Sequence, residues 1–171
     1  MNETLKILKE RRSVRRYEAR PVEREKLEAV LRAGNQAPIF GRLHMSVFAG
    51  PEQLQAVDAA AVAGMARSGV PFLENLAAQE GYHPLYGAAA LVVLSAPGGL
   101  DEKGFNMANV SCAAENMLLA AAGLGLGSCF LMGPMAAFSD PALRARLELP
   151  EGYEPLVGVA LGYAAPEHPA A

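Results

Sequence analysis

The chain has 171 residues, with 15 Lys or Arg against 18 Asp or Glu, and its formal net charge is −3. This length and a hydrophobic fraction of 51% suit one domain, residues 1–171, with a sizeable core, and they argue against a disordered chain. The acidic balance and the absence of tryptophan argue against a nucleic-acid-binding surface, and no apolar run is long enough to span a bilayer.

Two amphipathic helices are predicted first along the chain. Residues 3–10 form one of them, with Asn2 as its N-cap. The second is opened by Pro21 and covers residues 23–33, where apolar side chains recur at helical spacing. Gly34 follows the last periodic residue, so it is predicted to terminate this helix.

Between these helices lies a short, strongly basic segment, residues 11–16, which we call the arginine segment. It contains four arginines and one hydroxyl side chain within six residues: Arg11, Arg12, Ser13, Arg15 and Arg16. Arginine presents a rigid fork of donors that matches phosphate or carboxylate oxygens, so an anion site is one interpretation. A solvated basic turn is the other, and the segment by itself leaves both open.

The middle of the chain is predicted to contain a loop, a strand and a helix in that order. The loop covers residues 35–43, the strand covers residues 44–49, and Gly50-Pro51 begins the helix with proline in its first turn. Residues 67–87 are rich in glycine and proline and mix helical and loop character. One interpretation of this region is a mobile lid.

The second half of the chain alternates strands and helices. An apolar run at 89–96 predicts a buried strand, and residues 106–122, apolar on almost every side, predict a helix buried in a core or a subunit interface. Three shorter elements follow: an extended segment at 128–132, a helix capped by Ser139 or Asp140, and a strand at 153–163. Without repeats or linkers, this order indicates a single α+β or α/β domain.

Three glycines, Gly123, Gly125 and Gly127, superficially resemble a dinucleotide-binding fingerprint. That motif must follow a strand and open a helix, so that the phosphate meets the helix N-terminus. Here the glycines close a helix and precede a strand. They therefore predict a helix stop with tight packing of the helix on the following strand.

The cysteines and histidines do not form a recognisable metal or nucleophile motif. Cys112 and Cys129 lie in apolar surroundings, which favours packing and a reducing cytoplasm. His44, His83 and His168 are far apart and lack partners at metal spacing. Since no catalytic nucleophile or acid–base pair is evident, a bound cofactor would carry the chemistry if the protein is an enzyme.

Taken together, several blocks in register resemble the nitroreductase family of FMN oxidoreductases. They are similar to that family's N-terminal signature, its first loop block, its block before an apolar strand, and its central helix with the exit turn. In this chain the blocks read Arg11-Arg12-Ser13-Val14-Arg15, Pro21-Val22-Glu23 with Ala37-Pro38, Pro84-Leu85-Tyr86-Gly87-Ala88, and Glu115 to Ala121 with Gly125 to Cys129.

The resemblance implies an α+β fold with a central, mainly antiparallel sheet flanked by helices. It also implies an intertwined homodimer with two FMN sites at the subunit interface. The implied activity is a ping-pong reaction in which NAD(P)H reduces FMN by hydride transfer. The flavin then reduces a small acceptor such as a nitroaromatic compound or a quinone. The chemistry is carried by FMN, and no protein side chain is expected to be catalytic.

The same resemblance assigns FMN-binding residues to three parts of the chain. The arginine segment would bind the phosphate and the ribityl or ring oxygens, a loop would reach FMN from the partner subunit, and a third segment would lie against the flavin ring. These residues are Arg11, Arg12, Ser13 and Arg15; then Pro38, Ile39 and Arg42; then Met132 and Gly133. A backbone N–H in the third segment would bond flavin N5.

Two departures from the family pattern keep a second interpretation open. In the loop after Ala37-Pro38, relatives often carry a small hydroxyl, an Asn, a Gln and a Trp, and this chain carries none of these at the matching positions. After Arg146 the chain has no lysine or arginine, whereas relatives commonly have one or two that assist the phosphate. A non-catalytic flavin or small-molecule binder on the same fold is the alternative.

Overall fold

The computed structural model describes residues 2–98 and 103–166, and His168 lies outside these ranges. The helices are α1 (Glu3–Glu10), α2 (Arg24–Asn35), α3 (Pro51–Met65), α4 (Pro71–Ala77), α5 (Lys103–Gly123) and α6 (Pro141–Ala145). The strands are β1 (His44–Ala49), β2 (Ala90–Pro97), β3 (Gly127–Leu131) and β4 (Tyr153–Gly162), and Gly133–Ser139 form a 3₁₀ helix. No helix within the described ranges has the length and apolar character needed to cross a membrane.

The four strands form one antiparallel sheet in the order β1-β2-β4-β3. β2 and β4 lie in the centre, with Val92 paired to Val47 on one side and to Val159 on the other. Because β2 is covered on both faces, its side chains are almost all buried, which explains its uninterrupted apolar run. The predicted mainly antiparallel sheet flanked by helices is confirmed.

Helices cover both faces of this sheet. On one face α2 packs against α5, and α5 lies on β2, β3 and β4, with Val92 and Met117 in a shared apolar core. On the other face α3 packs against β1 and the 3₁₀ helix, and Leu91 and Phe138 belong to a second core. The sheet is thus held between two layers, and one of its ends carries the arginine segment.

The caps of two helices are confirmed, and one helix end differs from its prediction. Asn2 Oδ1 accepts from the N–H of Leu5 at 2.9 Å, and Asp140 caps α6. Gly34 does not terminate α2, which continues to Asn35. It is buried, and a Cβ there would come within 2.7 Å of Met45 Cε, so the glycine allows a close approach between packed elements. The start of α2 lies within one residue of the predicted Glu23, which is the N-cap.

α5 has one exposed stripe within a single chain, so of the two predicted ways to bury all its faces, a core or a subunit interface, the core of one chain alone does not suffice. Phe105, Ala108, Cys112 and Glu115 are exposed and follow one another at helical spacing. Cys112 is therefore not packed in the core, in contrast to Cys129, which is buried as predicted. An exposed, largely apolar stripe on an otherwise buried helix is typical of a protein interface.

A polar network ties the start of α2 to the end of β4. Tyr163 OH donates to Glu23 Oε2 at 2.6 Å and accepts from Lys26 Nζ at 2.9 Å, while Arg20 donates to Glu23 Oε1 at 2.8 Å. The hydrogen bond from Tyr163 and the backbone N–H of Glu23 lower the pKa of the Glu23 carboxyl to about 2. This network fixes residues 20–26, which follow the arginine segment, to the end of β4.

We expect Tyr163→Phe to lower the stability of the protein above the ordinary pKa of a glutamate and to move acid unfolding to higher pH, because it removes the donor that contributes most to the low pKa of Glu23. A carboxyl with a depressed pKa stabilises the fold fully above its ordinary pKa near 4.5. That stability is lost as the pH falls towards 2. In the variant the Glu23 pKa rises, so less of this pH-dependent stability exists. An NMR titration of the Glu23 carboxyl, followed by acid unfolding, measures both effects.

Tyr153→Phe is the matched control, because it removes a hydroxyl from the opposite end of β4. The Glu23 pKa and the acid-unfolding curve should match those of the unmodified protein in this variant. An unchanged Glu23 pKa in Tyr163→Phe would contradict the role given to the Tyr163 hydroxyl.

Candidate functional site

The arginine segment leaves α1 and is strapped across the end of the sheet. The N–H of Val14 donates to Ser128 O at 2.9 Å, and the N–H of Glu18 donates to Tyr163 O at 2.8 Å. Val14 and Tyr17 are buried in the core between these two attachments. Anchoring by both backbone bonds and buried side chains fixes the path of this backbone, which a solvated turn would not do.

Three members of this segment act electrostatically on one buried thiol. The thiol of Cys129, on β3, is influenced by the charges of Arg15 and Arg11 and by a hydrogen bond with Ser13. Burial raises the pKa of this thiol above its ordinary value, and these three neighbours act in the opposite direction. Arg11, Ser13 and Arg15, which alternate in sequence, therefore all influence this thiol.

Arg12 has backbone partners at the end of α1. Its guanidinium donates to Lys9 O at 2.6 Å and to Arg11 O at 2.9 Å. These carbonyls belong to the C-terminal end of α1, where a cation also interacts favourably with the helix dipole. In this conformation Arg12 caps the C-terminal end of α1. Its predicted contact with FMN would therefore use the remaining N–H groups of its guanidinium.

A small pocket of about 230 Å³ lies beside the segment. Arg11 and Arg12 line one side, and Gly125, Gly127 and Ser128 line the other. A Cβ at Gly127 would come within 2.8 Å of Val14 Cγ2, so only glycine allows β3 to lie this close to the segment. The predicted helix stop is confirmed, since α5 ends at Gly123 and Gly125 adopts a φ of +72°, and α5 packs on β3 as expected.

Charge at this place is only partly compensated by protein groups. Arg11 Nε lies 3.9 Å from Glu115 Oε1 on α5, which is a loose and exposed ion pair. Arg15 is exposed and has no ion pair within the described ranges. The hydroxyl of Tyr17 is buried without a hydrogen-bond partner among the described residues, and burial raises its pKa. An anion with several oxygen atoms suits this set of donors.

The loop that carries Pro38, Ile39 and Arg42 lies near the other end of α5. Asn109 holds it through two hydrogen bonds, from Phe40 N to Asn109 Oδ1 at 3.1 Å and from Asn109 Nδ2 to Phe40 O at 2.6 Å. Glu115, the neighbour of Arg11, is about 9 Å further along the helix axis. Within one chain the loop and the arginine segment therefore form separate groups.

Met132 and Gly133 follow the end of β3. Met132 is 56% exposed, and Gly133 begins the 3₁₀ helix. They lie roughly 13 Å along the strand from Ser128, which faces Ser13 in a bridge to the arginine segment. β3 is an edge strand of the sheet, so alternate backbone N–H groups along it point outwards.

Comparison with known proteins places this geometry in a family. Residues 8–163 match the sequence profile of the nitroreductase family. A protein of Archaeoglobus fulgidus, whose name describes it as an NADH dehydrogenase/NAD(P)H nitroreductase, is 32% identical over 168 residues, which cover 95% of this chain and 86% of that protein. The chain belongs to the nitroreductase family. The resemblance inferred from the sequence blocks is thus confirmed.

Solved structures of nitroreductases share the fold described above. A nitroreductase from Bacteroides fragilis with bound FMN superposes with a TM-score of 0.87 at 31% identity, covering 100% of this chain and 93% of that one. A nitroreductase from Desulfitobacterium hafniense with bound FMN gives a TM-score of 0.87 at 27% identity, covering 100% and 94%. The α+β nitroreductase fold is therefore confirmed.

A much larger cleft, of about 1030 Å³, lies beside the arginine segment and was missed by sequence reasoning. Arg15 lines it, together with Asp58 of α3 and Tyr82, His83 and Tyr86 from the chain before β2. Asp58 and His83 are distant in the sequence, and no spacing rule connects them. The one available signal was the cluster of aromatic and imidazole side chains within residues 82–86.

Proposed function

We propose that this protein is an FMN-dependent oxidoreductase that uses NAD(P)H to reduce a nitroaromatic compound, a quinone or a similar small acceptor by a ping-pong mechanism. Membership of the nitroreductase family supports the reaction class, and the two relatives with bound FMN support the cofactor. The observation that carries the proposal is the pocket of about 230 Å³ lined by Arg11, Gly127 and Ser128, where Ser13 bridges to Ser128 through the backbone.

The residues at this place fit the chemistry of FMN. Its phosphate needs fork-shaped, permanently charged donors, and Arg11 and Arg15 supply them with little compensation from protein carboxylates. The pocket beside Arg11 has a glycine wall, so backbone can approach a bound oxyanion closely. When bound, FMN would supply the hydride chemistry, and the protein would supply binding, orientation and electrostatics.

The chain's own residues would then act in distinct positions. Arg11 and Ser13 bind phosphate or ribityl oxygens near the start of β3, and Arg15 lies where the segment meets the large cleft. Met132 and Gly133 offer backbone N–H groups and an exposed surface for the flavin ring. A backbone donor makes no demand on the side chain, which accounts for an apolar methionine at this position.

We also propose that the complete site needs two copies of the chain. The exposed stripe of α5 contains Phe105, and its ring packs edge-on against Phe40 of the loop with centroids 6.0 Å apart. Phe105 is 64% exposed and Phe40 is 80% exposed, and two exposed aromatic rings in contact favour burial by a partner surface. A two-fold axis that passes near Cys112 would place Asn109 of one copy beside Glu115 of the other. Each loop would then reach the arginine segment of the other copy.

Phe105→Glu should convert the dimer into a monomer, because it places an unpaired charge within this apolar stripe. FMN affinity should fall at least tenfold in the same variant, since the loop residues of the partner would be lost. Sedimentation velocity measures the mass, and titration of flavin absorbance measures the affinity.

Phe72→Glu is the matched control for this substitution. Phe72 is 69% exposed on α4, away from the stripe on α5. It should leave both the mass and the FMN affinity unchanged. A Phe105→Glu monomer with full FMN affinity would contradict a site shared between subunits, and an intact dimer would contradict the interface.

The proposed function is tested by the visible spectrum of the protein. Purified protein supplemented with FMN and then desalted should be yellow, and anaerobic NADH or NADPH should bleach it. Addition of a quinone should restore the colour without oxygen. A colourless protein that gains no thermal stability from excess FMN would exclude the proposal.

The altered loop and the tail without basic residues favour one alternative function, a non-catalytic flavin or small-molecule binder. Pro38 is followed by Ile39 and Phe40 rather than by small polar residues, and Arg146 is the last lysine or arginine of the chain. Tight FMN binding without bleaching by NADH or NADPH would favour this alternative. Rapid turnover with a quinone would eliminate it.

A further inference from the structure

The cleft of about 1030 Å³ is large enough for a ligand in addition to the flavin. Residues 15–21 form one wall, the start of α3 forms the floor, and residues 79–89 form the other wall. Arg15 is the member of the predicted FMN set that lines it. The remaining members are not among the described residues around the cleft, so FMN bound by those residues would leave most of the cleft open.

A largely buried carboxylate fixes an imidazole on one wall. Asp58 Oδ2 lies 2.7 Å from His83 Nδ1, and Asp58 Oδ1 accepts from the N–H of Leu85 at 2.8 Å. Both carboxylate oxygens are therefore used to position the same short segment. The His83 side chain is 68% exposed in the cleft, and its Nε2 has no hydrogen-bond partner within the described ranges.

This arrangement determines what the imidazole can bind. An ionised carboxylate only accepts hydrogen bonds, so His83 Nδ1 carries the proton that faces Asp58. In the neutral imidazole, Nε2 then has a lone pair and accepts a hydrogen bond. A ligand that reaches this atom must present an O–H or N–H donor.

Two tyrosine rings stand beside His83. Tyr82 and Tyr86 pack edge-on with centroids 6.3 Å apart, and both line the cleft. Tyr86 has a φ of +55°, an unusual conformation for an aromatic residue, and the N–H of Tyr86 donates to His83 O at 2.9 Å. Such strain persists where the surroundings enforce it, and it is common at ligand-binding sites.

We propose that this cleft binds a planar aromatic compound that carries a hydroxyl group. Its ring would pack against Tyr82 and Tyr86, and its hydroxyl would donate to His83 Nε2. Asp58 is the positioning residue, because it selects the tautomer of His83.

The test uses two neutral probes, 4-hydroxybenzamide and 4-methoxybenzamide, which differ in whether the ring oxygen carries a proton or a methyl group. Calorimetric titration of the FMN-supplemented protein should show a preference for the hydroxyl compound of about three- to tenfold, the effect of one hydrogen bond between neutral groups. Amide shifts of residues 82–86 in labelled protein should move with the same affinity.

Asp58→Asn should abolish this preference. The oxygen of the new amide side chain would still accept from the N–H of Leu85, so its NH₂ would face His83 and force Nδ1 to accept. His83 Nε2 would then carry the proton and could no longer accept from a hydroxyl. Glu80→Gln is the matched control, because it changes the charge of the cleft by the same amount at a residue that has no hydrogen bond to His83. It should keep the preference.

His83→Phe provides a second variant whose exposed side chain should not affect folding, and it should also lose the preference. Equal binding of the two probes by the unmodified protein, or a preference that survives in His83→Phe, would overturn the proposal. The titrations are repeated without FMN. Selective probe binding without any FMN binding would contradict the proposed function alone, and FMN binding without selective probe binding would contradict this proposal alone.

Discussion

Arg11→Ala and Arg15→Ala should each weaken FMN binding by about 1.5–3 kcal/mol, the usual contribution of a hydrogen bond to a charged group. This corresponds to roughly a ten- to 150-fold increase in the dissociation constant. The effect is expected to be large because the chain has no lysine or arginine after Arg146 that could take over. Titration of flavin absorbance or fluorescence at a fixed salt concentration measures it.

Arg24→Ala is the control for general loss of positive charge. Arg24 is an exposed arginine whose partner is Glu28 on the same helix, with Nε and Oε1 2.7 Å apart. FMN affinity should stay within about twofold of that of the unmodified protein in this variant. The loss of an exposed charge changes the binding free energy far less than the loss of a direct contact. Unchanged affinity in both Arg11→Ala and Arg15→Ala would show that the arginine segment is not the phosphate site. The arginine segment would then be interpreted as a solvated basic turn.

Met117→Ala should lower the free energy of unfolding by about 2–5 kcal/mol, the range for truncating a large side chain in a core. Met117 lies on α5 and is fully buried against α2, where its Sδ would be 3.0 Å from a Cβ at Gly34. Its removal leaves a cavity that rigid neighbours fill only partly. Urea unfolding gives the change and is measured at one protein concentration, since the stability of the proposed dimer depends on concentration.

Two further methionine variants make this prediction specific. Met117→Leu nearly conserves the volume and should cost less than about 1.5 kcal/mol. Met132→Ala truncates an exposed methionine after β3 and should change the free energy of unfolding by about 0.5 kcal/mol or less. If Met117→Ala lowered the free energy of unfolding no more than Met132→Ala does, the tight packing between α2 and α5 would be contradicted.

Much of the fold follows from local patterns in the sequence. β1 matches its prediction at both ends, because Gly50-Pro51 starts the next helix and alternation marks the strand. The caps Asn2 and Asp140 also follow from local chemistry, in which a short polar side chain accepts from a nearby backbone N–H. Four family blocks in register then indicated the nitroreductase fold, which no single block would have done.

Features that depend on tertiary packing could not be predicted from local sequence patterns. Gly34 resembles a helix terminator in sequence, but it lies inside α2 because Met45 and Met117 need the space of its missing side chain. The apolar composition of α5 predicted burial on every face. The position of the sheet and of α2 left one stripe exposed, and composition cannot report which face that is.

For this protein, the sequence alone determined the order of the elements, the family and the arginine segment as a candidate anion site, because each rests on residues close together in the chain. Only the tertiary structure decided where those arginines point. It placed Arg11 and Arg12 beside the small pocket, with Arg12 also closing α1, and it placed Arg15 at the large cleft. It also joined Asp58 to His83 across 25 positions. Such pairs form when distant segments pack together, so no local pattern encodes them.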